Sequence, residues 1–284
     1  MRAAVSLFIC CAVMTMLLVP APTVIAKDED QDWRKREAVA KEEVTVDDIS
    51  EEIRFGREVA ARILGRYPLY ENDAVMKYVN LVGRSLAMNS SRPELEFRFA
   101  VLNTDEINAY AAPGGYVFLT RGALMRMKDE AELAGVLAHE ISHIANKHVV
   151  RELSIKAKEG SSTAGLARMI GGSSEAARAT FSQAVDKAVD MLFTSGYKRE
   201  DEIDADRTAM QLGTLAGYDP LALVRYFETL KAAKGAKAEI LTGTHPSFDD
   251  RISWLKTEIA AEGVDPGRLQ SYKERFEEVQ KQVK

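Results

Sequence analysis

Cysteine is nearly absent from this chain. The 284 residues hold two, Cys10 and Cys11, side by side in the N-terminal apolar run. If that run is removed, no thiol remains. Disulfides and cysteine chemistry are then excluded, and a metal site must be built from His, Asp and Glu. Basic excess is also missing, because 38 Lys and Arg face 43 Asp and Glu for a net charge of −5. Without a basic face, nucleic acid is not an expected partner. Histidine is scarce as well, with four in the chain, three of them inside "HEISHIANKH". The bulk composition, 46% hydrophobic and 29% charged, is that of a globular protein.

The one long apolar run is at the start. "MRAAVSLFICCAVMTMLLVPAPTVIA" carries Arg2, then apolar residues, then small residues ahead of the charged "KDED". It reads as a secretory signal over residues 1–26, cleaved after Ala26. The alternative is an uncleaved anchor, since the run is of about spanning length. A cleaved signal implies a periplasmic chain with no stable membrane span. The anchored form would place the same domain at the membrane. Residues 27–46 are charged and aperiodic and read as an N-terminal arm.

Helical spacing predicts helices over 47–64 and 72–87, and a long one over 129–153 that begins with a capping pair, Asp129 and Glu132. Alternation predicts strands over 96–103, "INAYAA" and "YVFLT", the last two split by Pro113-Gly114-Gly115. Further helices are predicted near 182–193, 199–216 and 219–233. Another opens at Ser247, and a last amphipathic helix closes the chain. The Gly- and Ser-rich 158–176 segment reads as a loop, a candidate lid. The class is α+β, many helices around one small sheet. The domain is expected over 47–262, with a C-terminal helix within 263–284 packed on it.

His139 and His143 are four apart on the predicted 129–153 helix, so they share a face one turn apart. With Glu140 they spell H-E-x-x-H, the pattern of two zinc-binding imidazoles and a general base. His148 lies nine residues past His139. On a continuous helix that is about 900°, half a turn out of phase, so His148 is expected to point away. The longer pattern H-E-x-x-H-x-x-G-x-x-H is excluded by Asn146 and Val149. The third ligand must come from elsewhere. In "REDEIDADRTAMQLG" two pairs have the right spacing. Glu200, Asp204, Arg207 and Gln211 form a polar stripe that reads as solvated. Glu202, Ala205, Asp206, Ala209 and Gly213 form a stripe of small residues around two carboxylates, able to approach another helix closely. Glu202 is therefore the expected ligand, and Asp206 the acceptor that orients a ligating histidine through its other ring nitrogen.

"VLAHEISHIANKH" followed by "EIDADRTA" resembles the HtpX-like and BepA-like zinc metallopeptidases, gluzincins related to the CAAX prenyl endopeptidases. "NAYAAPGGYVFLTRGAL" and "THPSFDDRISWL" match two further stretches of that family. The resemblance implies a mostly helical zincin-like domain and one Zn2+ per chain. It implies a zinc-dependent endopeptidase with His139, His143 and Glu202 as ligands, Glu140 as base and Asp206 in support. It also singles out His245 and Arg251 as oxyanion stabilisers. His245 could instead close on the zinc as a fourth ligand or simply precede a helix. A polypeptide substrate is expected to pair with the "NAYAA" strand near Asn108 and Ala109, if that strand lies at a sheet edge. The expected form is soluble, minimal and one-domain, acting on unfolded or misassembled envelope proteins. The rival readings are a zinc-binding, chaperone-like protein of the same fold with little turnover, and an amidase acting on cell-wall peptide.

Overall fold

Alternation along three short strands decides the layering. The computed structural model describes residues 46–157, 174–232, 247–265 and 269–283. Within them β1 (Arg98–Leu102), β2 (Ala109–Ala112) and β3 (Tyr116–Thr120) form a mixed sheet in the order β1-β3-β2. β3 runs parallel to β1, with Phe99 opposite Val117, and antiparallel to β2, with Tyr110 opposite Phe118. Side chains alternate across such strands. Phe99, Val101, Ala111, Val117 and Leu119 enter one apolar cluster. Leu102, Tyr110, Ala112 and Phe118 enter a second on the opposite face. The sheet is therefore covered on both sides.

The helices supply the cover. In chain order they are α1 (Val46–Arg66), α2 (Asp73–Ala87), the short α3 (Arg121–Leu124), α4 (Glu130–Ala145) and α5 (His148–Ala157). Then follow α6 (Glu175–Asp190), α7 (Arg199–Leu215), α8 (Ala222–Ala232), α9 (Phe248–Glu262) and α10 (Lys273–Gln280). α2 and α4 contribute Val79, Leu86, Leu133, Leu137 and Ile141 to the first cluster. α1, α5 and α6 contribute Phe55, Ile63, Val149, Leu153 and Val185 to the second. α1 crosses the Pro113–Gly115 turn so closely that a Cβ on Gly56 would sit 1.7 Å from the Pro113 carbonyl oxygen. Among the described residues, no helix is long and apolar enough to cross a membrane.

The sequence-predicted elements are largely present, with one consequential difference. The helix expected over 129–153 is two helices. α4 ends at Ala145, Lys147 adopts a left-handed φ of 54°, and α5 starts at His148. Lys147 is not glycine, so nothing in the local composition announces the break. The start of α4 does follow the expected chemistry. Asp129 Oδ1 accepts from the Glu132 backbone N–H at 2.9 Å, although the Glu132 carboxylate turns to Lys128 N–H rather than to the cap. Glu130, one residue in, is anchored by the hydroxyls of Tyr78 at 2.5 Å and Tyr218 at 2.6 Å and by Arg275 of α10. Three separate segments thereby fix the N-terminal end of α4. Ser247, where the sequence places a helix start, caps α9 by accepting from Asp250 N–H at 3.3 Å.

Glu132 is fully buried, and burial pushes its carboxyl up from 4.5 to about 7. The folded chain holds a proton there that the unfolded chain releases above 4.5. Stability should therefore fall as pH rises through that window, by about 3 kcal/mol from this group. Glu132→Gln should flatten the slope. Urea unfolding at pH 5 and pH 8 checks it: the wild type should lose roughly that much more than the variant between the two.

Candidate metal centre

α4 and α7 lie along one another. The small side chains of Ala205 and Ala209 are buried on α7, which permits the close approach that the alanine-rich stripe predicts. On α4, the Nε2 atoms of His139 and His143 are 3.0 Å apart, and both rings are buried. From α7, Glu202 places Oε2 3.5 Å from His139 Nε2 and Oε1 3.6 Å from His143 Nε2. A tetrahedral ion with bonds of 2.0–2.1 Å needs donors about 3.3 Å apart. The three separations bracket that value, the two to Glu202 ending on different oxygens of its carboxylate. Two imidazoles and one carboxylate are also the donor set of a three-ligand catalytic zinc. The residues present fit the ion.

Asp206, one turn after Glu202, stands 2.9 Å from His139 Nδ1 through Oδ1. Arg251 of α9 forks onto the same carboxylate, Nε to Oδ2 at 2.8 Å and Nη2 to Oδ1 at 2.5 Å. Its Nη1 lies 3.3 Å from Glu202 Oε2, and its guanidinium sits over the Phe227 ring at 4.2 Å. Burial pushes the Asp206 carboxyl up, but Arg251 and His139 outweigh it and hold it below the ordinary value. Burial and Arg251 lower the His139 pKa. Hydrogen bonds to Asp206 and Glu202 more than offset them and raise it to about 9.

Three residues, His148, Asp204 and Arg207, behave otherwise than their sequence positions suggest. His148 does not point away. Because the chain breaks at Lys147, it folds back and puts its Nδ1 2.7 Å from His143 Nδ1, fully enclosed. Its Nε2 is 3.8 Å from Asp201 Oδ1, and His148, Asp201 and Asp204 form a second group of potential ligands. The stripe expected to be solvated is also partly covered. Asp204 and Arg207 are buried, with Arg207 bonded to Glu258 at 2.9 Å and lying over Trp254 of α9. Tyr197 has no counterpart in the sequence reading. Its ring stacks on His143 at 3.9 Å and 14°. It precedes α7 in an unpatterned stretch, so only the folded chain reveals it.

Glu140 is buried and lines a cavity of about 30 Å³ with His139, Arg251, Asn108 and Ala109. Val136, Leu223, Tyr226 and Phe227 form its apolar wall. Asn108 immediately precedes β2 and Ala109 opens it; β2 is an edge strand of the three-stranded sheet. Asn108 is locked by Thr120, whose Oγ1 accepts from its N–H at 3.0 Å and donates to its carbonyl at 2.8 Å. His245 lies outside the described residues, as do residues 1–26 and most of the 158–176 segment.

Residues 74–259 match the sequence profile of peptidase family M48. The chain belongs to that family. M48 members are zinc metalloendopeptidases, and the His139–His143–Glu202 triangle is the candidate metal site of this one. The chain is 28% identical to the beta-barrel assembly-enhancing protease of Escherichia coli (strain K12) over 212 residues, 72% of this chain and 43% of that protein. It is 26% identical to the metalloprotease YcaL of the same organism over 180 residues, 63% of this chain and 68% of the relative. It is 29% identical to the mitochondrial metalloendopeptidase OMA1 of Schizosaccharomyces pombe over 209 residues, 69% of this chain and 60% of the relative. The chain thus spans less than half the length of the beta-barrel assembly-enhancing protease.

In this M48 peptidase, Asp206 should set zinc affinity without touching the ion. Asp206→Asn should weaken zinc binding by ~10–100-fold, in keeping with lost orientation of a ligating imidazole. Competition with a chromophoric chelator measures this. Glu202→Gln should weaken it further, since it removes a candidate ligand.

Proposed function

We propose that this chain is a one-zinc endopeptidase of the bacterial cell envelope that cuts unfolded or misassembled proteins. One observation carries the peptidase part. Glu140 shares a single cavity with His139 of the candidate metal site, with Asn108 and with Ala109, the first residue of an edge strand. Zinc held by His139, His143 and Glu202 would supply Lewis-acid activation of water and of the scissile carbonyl. Glu140 takes the proton from the attacking water and delivers it to the leaving amine. An extended peptide would meet the start of β2, with Asn108 and Ala109 beside the reacting bond, since Tyr110, Ala111 and Ala112 are buried. The apolar wall of Val136, Leu223 and Phe227 favours a small aliphatic side chain next to that bond.

Arg251 lines the same cavity, yet its fork is engaged by Asp206 and Glu202. We therefore assign it the task of holding those two carboxylates; oxyanion support from His245 stays what the family resemblance implies. The envelope location rests on the leader-like residues 1–26 and on the likeness to a protease named for beta-barrel assembly.

Glu140→Gln tests the chemistry. The variant should keep its zinc and lose casein hydrolysis by at least ~10²-fold. Chelation should silence the wild type, and added zinc should restore it. Equal inertness of wild type and variant, both zinc-loaded, would favour the chaperone-like reading. Activity on purified sacculi but not on protein would favour the amidase. Mass spectrometry of envelope proteins with and without active enzyme would name the substrates.

A further inference from the structure

We propose that His148 is a positioning residue of the metal centre: it accepts a hydrogen bond from His143 Nδ1 and so fixes which nitrogen of His143 faces the ion. The inference rests on the metal-site reading above.

The two Nδ1 atoms are 2.7 Å apart in a fully enclosed setting. At that distance one proton lies between them. Two protons or two lone pairs facing each other would repel. The other nitrogen of His143, Nε2, is the atom that faces His139 Nε2 and Glu202. A metal ligand must offer a lone pair there. A neutral His143 with its Nε2 lone pair free carries its proton on Nδ1, so His143 donates and His148 accepts. The reverse order would put a hydrogen on His143 Nε2, inside the donor triangle, and would expel the ion. His148 then holds its own proton on Nε2, on the side of Asp201.

His139 is treated the same way by a different group. Its Nδ1 meets the Asp206 carboxylate, while its Nε2 faces the triangle. Each imidazole is thus held from behind, one by a carboxylate of α7 and the other by an imidazole of α5. Ring packing fixes the pair further. His148 meets His143 edge-on, at 4.9 Å and 74°, and Tyr197 stacks flat on His143 at 3.9 Å. Ring rotation of His143, which would exchange its nitrogens, is therefore blocked on two sides.

Two variants and one spectrum test this on the full chain. His148→Leu keeps bulk but cannot accept, and should bind zinc ~10–100-fold more weakly than wild type. His148→Gln offers an amide oxygen and should recover most of that loss. Both are read by chelator competition and by the cobalt-substituted absorption spectrum, which a merely structural role would leave unchanged. Should His148→Leu fail to fold, long-range proton–nitrogen spectra of the zinc-loaded wild type with labelled histidine decide. They should show His143 protonated at Nδ1 and His148 protonated at Nε2. A proton on His148 Nδ1, or wild-type zinc affinity and cobalt spectrum in His148→Leu, overturns the proposal and leaves the metal site intact. Two zinc equivalents in the wild type, one lost in His148→Gln, would assign His148, Asp201 and Asp204 to a second metal instead. A wild type that binds no zinc would overturn the metal-site reading and this inference together.

Discussion

Glu140, Glu202 and Asp206 are all buried around one point, and the structure depends on compensating their charge. An unpaired carboxylate in such a place costs several kcal/mol. Arg251 supplies one positive charge, bidentate to Asp206 and within reach of Glu202. Three carboxylates against one guanidinium leave two negative charges, the charge of one divalent cation. The same excess of carboxylate drives His139 toward its charged form, against the effects of burial and Arg251. Charge also dictates architecture here. α9 must cross α7 to deliver Arg251, and α7 must lie flat on α4 to deliver Glu202 and Asp206.

Much of this was legible in the sequence, because helical phase is a local property. H-E-x-x-H set two imidazoles on one face, and the stripe of Ala205 and Ala209 identified Glu202 and Asp206 as the carboxylates turned inward. The strand alternation likewise anticipated a small sheet. What phase cannot report is cover from outside. Asp204 and Arg207 are on the side of α7 expected to meet water, yet Glu258 and Trp254 of α9 lie over them. The edge position of β2 is equally non-local, since it follows from β3 taking the centre of the sheet.

His148 shows where a correct rule fails. Half a turn out of phase is the right answer for a continuous helix. The helix is not continuous, and the residue that breaks it is a lysine at a positive φ, which sequence alone gives no cause to expect. Tyr197 escapes for a related reason. It lies in an irregular stretch between α6 and α7, where no periodicity constrains the direction of a side chain.

The break at Lys147 also joins two parts of the molecule that otherwise have separate cores. If α4 ran on to residue 153, His148 would turn from His143, and Val149, Val150 and Leu153 would travel along the axis of α4. With the break, the same turn that sets His148 behind His143 sends those three residues into the cluster beneath α1 and α6. Buried packing in the second core therefore holds α5 at its angle, and α5 in turn holds the second imidazole of the site. Asp206 and Arg251 perform the equivalent service for His139 from the first core. The two candidate ligands of one helix are thus aligned by opposite halves of the fold, and the sheet between those halves carries the edge strand that begins at the same cavity.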